Sequence, residues 1–173
     1  MAYITKKKIA QAFHDVVLVR GFSRTSVTAI MSTADFRRQT FYDYFQDKYE
    51  LLTWFIDDTL TETVEHNLNY LPWIDIIKLV CYELDANRQF YAECINTQHE
   101  IDVTALVGNH LATSLLTELT HANTTETAAL IWLLCLGIAQ SLTHNIVANH
   151  PEDYEVLSQH AIAAIEMTLE ILN

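Results

Sequence analysis

Apolar residues recur three and four positions apart through most of the 173-residue chain, and no alternating strand pattern persists. The pattern predicts a series of helices. The first runs from about Thr5 to Arg20 with Ile9, Phe13 and Val16 or Val17 on one face. Gly21 stops it, where a helix end favours a left-handed residue. Thr25 or Ser26 caps a short second helix whose Val27, Ile30, Met31 and Ala34 face inward. A tight link at Asp35-Phe36 leads to a third short helix with Phe41 and Phe45 one turn apart. Asp47 caps a long fourth helix through Leu51, Leu52, Phe55, Ile56 and Leu60. After a break at Asn67 to Pro72, helices are expected over about Trp73 to Leu84, around Phe90, Tyr91 and Ile95, and over about Ile101 to Leu119. Asp85-Ala86-Asn87 and Asn96 to Glu100 read as the joints between them. Asn123-Thr124-Thr125 opens an apolar helix over 125–148, which Asn149-His150-Pro151 ends, and a last helix spans about Glu152 to Leu172.

Composition sharpens this picture. Half the residues are hydrophobic, enough for a sizeable core without disulfides. Three glycines and two prolines leave little turn chemistry, which argues against sandwiches, barrels and glycine-rich phosphate loops. The net charge of −12 is unevenly divided. Residues 1–53 hold eight basic groups against five acids, a net of +3, while residues 54–173 hold two bases against 17 acids, a net of −15. Such asymmetry suggests an electropositive head that meets an anion, carried on an acidic body that does not. No apolar run follows the first lysines, so no signal peptide is expected. The longest greasy stretch, Ala128 to Ala139, is shorter than the roughly 20 residues of a membrane span and reads as a buried helix. Cys81, Cys94 and Cys135 are odd in number, lack CxxC spacing and read as reduced core thiols of a cytoplasmic protein.

Two short helices behind a longer first one make a helix-turn-helix. The first must pack apolar residues against the second so that the second projects a polar face. Val27, Ile30, Ala34, Phe41 and Phe45 supply the packing, and Arg37, Arg38, Gln39, Thr40 and Asp43 point outward. Arginine reads guanine bidentately and glutamine reads adenine, so Arg38 and Gln39 are the expected base readers. Threonine, tyrosine and lysine near helix N-termini suit phosphates.

The run Gly21-Phe22, Thr25 to Ile30, Ala34, then Thr40-Phe41-Tyr42-Asp43-Tyr44-Phe45-Gln46-Asp47-Lys48-Tyr49-Glu50-Leu51-Leu52 resembles the N-terminal domain of TetR-family transcriptional regulators. The resemblance covers about a third of the chain. It implies that Thr25 to Tyr44 is the DNA-reading motif, that Arg37 to Tyr44 is the recognition helix, and that Tyr42, Tyr44 and Lys48 contact phosphates. The departures lie at Asp35-Phe36-Arg37, where the family usually carries Gly-Val-Ser, and at Gln39, where a small residue is common. The turn glycine and serine cap are missing, and two arginines enter the reading surface. Asp35 tolerates a left-handed backbone, so the turn is expected to survive. Arg37-Arg38-Gln39-Thr40-Phe41-Tyr42, Tyr44-Phe45-Gln46, Glu50-Leu51-Leu52 with Trp54, and Gln89-Phe90-Tyr91 further resemble the branch that activates dihydroxyacetone-kinase operons in lactic bacteria. That likeness implies control by a protein co-activator in place of a drug-like ligand.

The remaining constellations are weaker. Seven of the eight histidines lie beyond residue 60, but no pair has HExxH spacing. His99 with Glu100 and Asp102 is the only local cluster, and consecutive helical residues diverge, so neither a metal nor a cofactor is expected. No catalytic set stands out, which argues against an enzyme. Trp73, Tyr82, Phe90 and Tyr91 are candidates to line an effector cavity, against the plainer reading that they are core. Ala128, Ile131, Trp132, Cys135 and Ile138 form one apolar stripe, and Ile162, Ile165, Leu169 and Leu172 another. Two such helices from each of two chains make a four-helix dimer seam. The alternative is that both helices are buried inside one chain.

The sequence thus predicts an all-α chain. Residues 1–53 form a three-helix DNA-binding domain, and residues 54–173 a helical dimerisation and effector- or partner-binding domain. Its expected partners are operator DNA, a second copy, and a protein co-regulator or small-molecule effector, with no membrane. The rival from another class is a helical interaction module without DNA binding, against which the basic head weighs.

Overall fold

The computed structural model describes residues 2–96, 101–118 and 125–172, with the side chains of Glu118, Thr125, Glu126 and Leu172 left aside. The expected His99–Glu100 pair and the Asn123-Thr124 helix opening lie outside the described residues. Among the described residues there are nine α-helices and no strand. They are α1 (Ala2–Arg20), α2 (Val27–Thr33), α3 (Arg38–Tyr42), α4 (Lys48–Thr63), α5 (Trp73–Ala86), α6 (Arg88–Ile95), α7 (Val103–Glu118), α8 (Thr125–Val147) and α9 (Tyr154–Leu172), with a single 3-10 turn at Glu65–Asn67.

The chemistry of the helix ends explains most of these bounds. Helix α1 begins earlier than its apolar pattern because its first turns are clasped to α4. Lys7 Nζ lies 2.6 Å from Asp58 and 2.8 Å from Glu62, and the Tyr3 hydroxyl donates to Glu62 at 3.1 Å. Gly21, at φ 77°, ends α1 as expected, and its N–H returns to the Val17 carbonyl at 2.8 Å. Asp47 accepts from the N–H groups of Tyr49 and Glu50 at 2.8 and 2.9 Å and starts α4. The joint between α5 and α6 is one residue, Asn87, which ends the first helix and begins the second.

One hydrophobic core runs the length of the chain. Ile9, Phe13 and Phe22 meet Leu51 and Ile56 of α4, and the core continues through Val80, Phe90, Val107, Leu111, Ile131, Cys135 and Ile165. The expected boundary at residue 53 therefore falls inside α4, which belongs to head and body at once. In the body α7 lies along α8, α5 along α9, and α4 and α6 cross to α7 and α8. Gly108 lets α7 approach closely, since a Cβ there would sit 3.2 Å from the Leu136 Cα. The Trp132 indole N–H donates to Asn109 Oδ1 at 2.9 Å, and Thr104 bonds Thr143 at 2.9 Å across the same pair.

Two expectations about α8 need correction. Its segment Thr127–Val147 is long and apolar enough to cross a bilayer by length and composition, contrary to the reading from the shorter run at 128–139. In the fold it packs against α5, α6, α7 and α9. The stripe assigned to a dimer seam is largely internal: Ile131, Cys135 and, on α9, Ile165 are fully buried within one chain, and Ala128, Ile162 and Leu169 are half-buried. Trp132 is exposed but faces α7 through Asn109. The outward apolar positions besides Trp132 are Leu130, Leu133 and Val147 of α8 with Val156, Met167 and Ile171 of α9. The three cysteines are core thiols; burial pushes Cys81 and Cys135 up to about 12 and Cys94 higher still, so none is a ready nucleophile.

Candidate nucleic-acid interface

The reading motif is built from its caps outward. Ser26 accepts from the Ala29 N–H at 3.2 Å and starts α2. At the other end Asp35 takes a left-handed backbone, φ 56°, and the Phe36 N–H reaches the Met31 carbonyl at 3.0 Å. This is a Schellman closure with aspartate where glycine is usual. Arg37 then flanks α3 in an extended conformation, φ −66° and ψ 143°, and makes no side-chain cap bond. Phe41 anchors α3 in the core and meets the tilted ring of Phe45 with centroids 5.7 Å apart. With Ile30, Met31, Phe41 and Phe45 buried, the opposite side of α3 is left to solvent. Arg37, Arg38, Gln39, Tyr42 and Asp43 are exposed there, and Thr40 is half-buried. Arg38 Nη2 donates to the Tyr42 hydroxyl at 3.1 Å, with its guanidinium over the Tyr42 ring.

Three sequence candidates fall elsewhere. Thr25 is buried, 3 % exposed, and its hydroxyl donates to the Gly21 carbonyl at 2.9 Å, which takes it out of reach of a phosphate. Tyr44 is half-buried and packed against the core. Lys48 Nζ donates to the carbonyls of Phe22, Ser23 and Thr25 at 2.9, 3.3 and 3.3 Å and lies 4.5 Å from the Phe22 ring centroid. An ammonium has three N–H groups. All three are directed at the α1–α2 link, so in this arrangement Lys48 holds the head together.

The head is joined to the body by contacts that the sequence did not single out. Glu93 of α6 accepts from the Phe22 N–H at 3.2 Å, and Gln89 Nε2 donates to the Leu18 carbonyl at 3.4 Å. Arg88 donates to the Asn145 carbonyl at 2.7 Å, fixing the start of α6 on the end of α8. His110 of α7 meets Asp57 of α4 at 3.1 Å and Glu65 at 2.7 Å through its two ring nitrogens. The spacing of Gln89 and Glu93, one turn apart on a short helix, is a signal that could have marked the α6 contact.

The four effector candidates do not line one cavity. Phe90 and Tyr91 are fully buried. Phe90 packs on Phe13 and Phe55 with centroids 5.8 and 4.8 Å apart, so it seals the head–body junction. Trp73 is half-buried at the start of α5. Tyr82 is exposed and meets Tyr154 of α9 edge-on, and these two line an open groove of ≈ 570 Å3 between α5 and α9. A second open groove, ≈ 500 Å3, lies between α8 and α9 over Leu133, Gly137, Leu157 and His160.

Residues 15–53 match the family described as bacterial regulatory proteins, tetR family. An 88-residue stretch, 51% of the chain, is 42% identical to the HTH-type dhaKLM operon transcriptional activator DhaS of Lactococcus lactis subsp. lactis (strain IL1403). Through that alignment the chain spans about half, 47%, of the relative's length. The fold is similar to the solved structure of a dihydroxyacetone kinase operon activator DhaS, with a TM-score of 0.75 at 24% identity over 98% of this chain and 97% of that one. Residues 15–53 are thus similar to the DNA-binding domain of bacterial tetR-family regulatory proteins, and the all-helical fold with its N-terminal helix-turn-helix is similar to that of a solved dihydroxyacetone kinase operon activator.

Proposed function

We propose that the chain acts as a homodimer on operator DNA, reading each half-site with α3, and that it controls genes of the dihydroxyacetone-kinase type. The observation that carries the DNA reading is the exposed face of α3. Arg37, Arg38, Gln39 and Tyr42 stand together on a head of net charge +3, above a body of net charge −15 that DNA repels. Ser26 and the free N–H groups at the start of α2 suit a flanking phosphate. The likeness to a dhaKLM operon activator supports the class of target genes.

The dimer rests on the outward faces of α8 and α9. Leu133, 58 % exposed, and Met167, 66 % exposed, lie on long helices that a second copy can cover as a four-helix seam. Control then acts on the spacing of the two heads, because both recognition helices must meet major grooves one helical repeat or a multiple apart. Helix α6 is placed to carry that control: Arg88 ties it to α8, and Gln89 and Glu93 hold the α1 end of the head. An effector or protein co-regulator seated on the body acts by shifting α6.

The test is footprinting of the DNA flanking the chain's own gene, with sedimentation of the protein alone. A protected two-half-site segment and a dimer without DNA are expected. A dimer that protects no segment would favour the interaction-module reading instead.

A further inference from the structure

Tyr42 sits one helical turn after Arg38 on α3, and both are exposed. The resemblance to related regulators makes Tyr42 a phosphate contact, but its surroundings indicate another use. Its ring is fixed from below by edge-on contact with the fully buried Phe41, centroids 5.5 Å apart at 79°. From above it carries the Arg38 guanidinium 5.7 Å from its centroid and accepts from Arg38 Nη2 at 3.1 Å. The core thus holds Phe41, Phe41 holds Tyr42, and Tyr42 holds Arg38.

We propose that Tyr42 is a positioning residue for specificity: it pre-orients Arg38 to read guanine in the major groove, and so sets base preference more than backbone affinity. This deepens, and rests on, the DNA-binding reading above. A guanidinium carries five N–H groups, and the Tyr42 hydroxyl takes one. The others include the pair needed for the bidentate contact with guanine O6 and N7. A free arginine side chain loses rotamer entropy when it binds a base, and the aromatic shelf removes part of that loss in advance. Arg37 and Gln39 beside it have no comparable shelf: among the described residues neither side chain makes an intramolecular hydrogen bond, and Arg37 does not cap α3. The firmest base preference should therefore belong to Arg38.

The experiment selects binding sites from a randomised duplex pool with the unaltered 173-residue chain and with Tyr42→Phe and Arg38→Lys. Each selected site is then titrated beside a scrambled duplex. Tyr42→Phe keeps the ring and loses the acceptor; Arg38→Lys keeps the charge and loses the fork. The unaltered chain should select a guanine at one position of each half-site. Arg38→Lys should erase the preference there by about tenfold, and Tyr42→Phe should weaken it at that same position. Binding to the scrambled duplex should stay within about twofold for both. Equal weakening on selected and scrambled duplexes by Tyr42→Phe would mark a phosphate contact and overturn the proposal. Retained guanine preference in Arg38→Lys would overturn it as well. If the unaltered chain selects no motif, the DNA-binding reading itself fails, an outcome distinct from both.

Discussion

Lys48 and Asp35 show how single side chains decide the shape of the head. Lys48 donates to three carbonyls of the six-residue α1–α2 link, adding to the closure that Gly21 and the Thr25 hydroxyl already make there. Lys48→Met keeps an unbranched aliphatic stem and removes the ammonium together with its contact on the Phe22 ring. It should lower stability by about 1–2 kcal/mol, because charged hydrogen bonds are lost at a partly buried site. The salt dependence of DNA binding should stay as it was. Thermal melting and a salt titration check this, and a salt slope reduced by one unit with unchanged melting would return Lys48 to the phosphates. Asp35 was legible in advance, since aspartate is one of the few residues that accept a left-handed backbone, and φ is 56° there. The role of Lys48 was not, because charge near a helix N-terminus reads as anion-binding unless the neighbouring carbonyls are known.

Between elements, the contacts that matter are polar ties across packed helices. The α1–α4 clasp is the clearest. Hydrogen bonds from Lys7 and Tyr3 hold the Glu62 carboxyl below its ordinary 4.5, outweighing the opposite pull of burial. On Lys7 burial pulls downward, yet the hydrogen bonds to Asp58 and Glu62 win and raise it. An acid whose folded value is depressed stabilises the fold above its unfolded value and loses that contribution as the pH falls through the folded one. Glu62→Gln should therefore destabilise at pH 7 by no more than about 1 kcal/mol, since the pair is half-exposed. The gap to the unaltered chain should close as the pH drops below 4.5. Melting curves across that range measure it, and a gap that widens in acid would refute the clasp. The helices and their ends were largely readable from capping and periodicity, whereas these ties join residues some 50 positions apart, as Lys7 and Asp58 do, and no local pattern announces them. His110 between Asp57 and Glu65 belongs to the same class.

At the scale of the molecule, the unresolved choice in the sequence was which face of α8 looks inward. From Leu130 to Leu136 every residue is apolar, so periodicity cannot phase the helix. The stripe through Ile131, Cys135 and Ile138 proves internal, and Leu130 and Leu133 look outward. The consequence separates two substitutions. Ile165→Asp places a charge in a fully buried position with no partner and should unfold the chain, a cost of several kcal/mol. Leu133→Asp should leave the helices intact and split the proposed dimer. Circular dichroism with sedimentation distinguishes the two, and a Leu133→Asp chain that stays dimeric would move the seam off α8.

The most direct test of the central claim is the salt dependence of duplex binding by the 173-residue chain. A protein of net charge −12 binds DNA only if its +3 head does the binding. Two heads, each neutralising a few phosphates, predict that log affinity falls linearly with log salt, with a slope of roughly −4 to −8. No measurable binding at low salt, or an affinity indifferent to salt, would contradict the account.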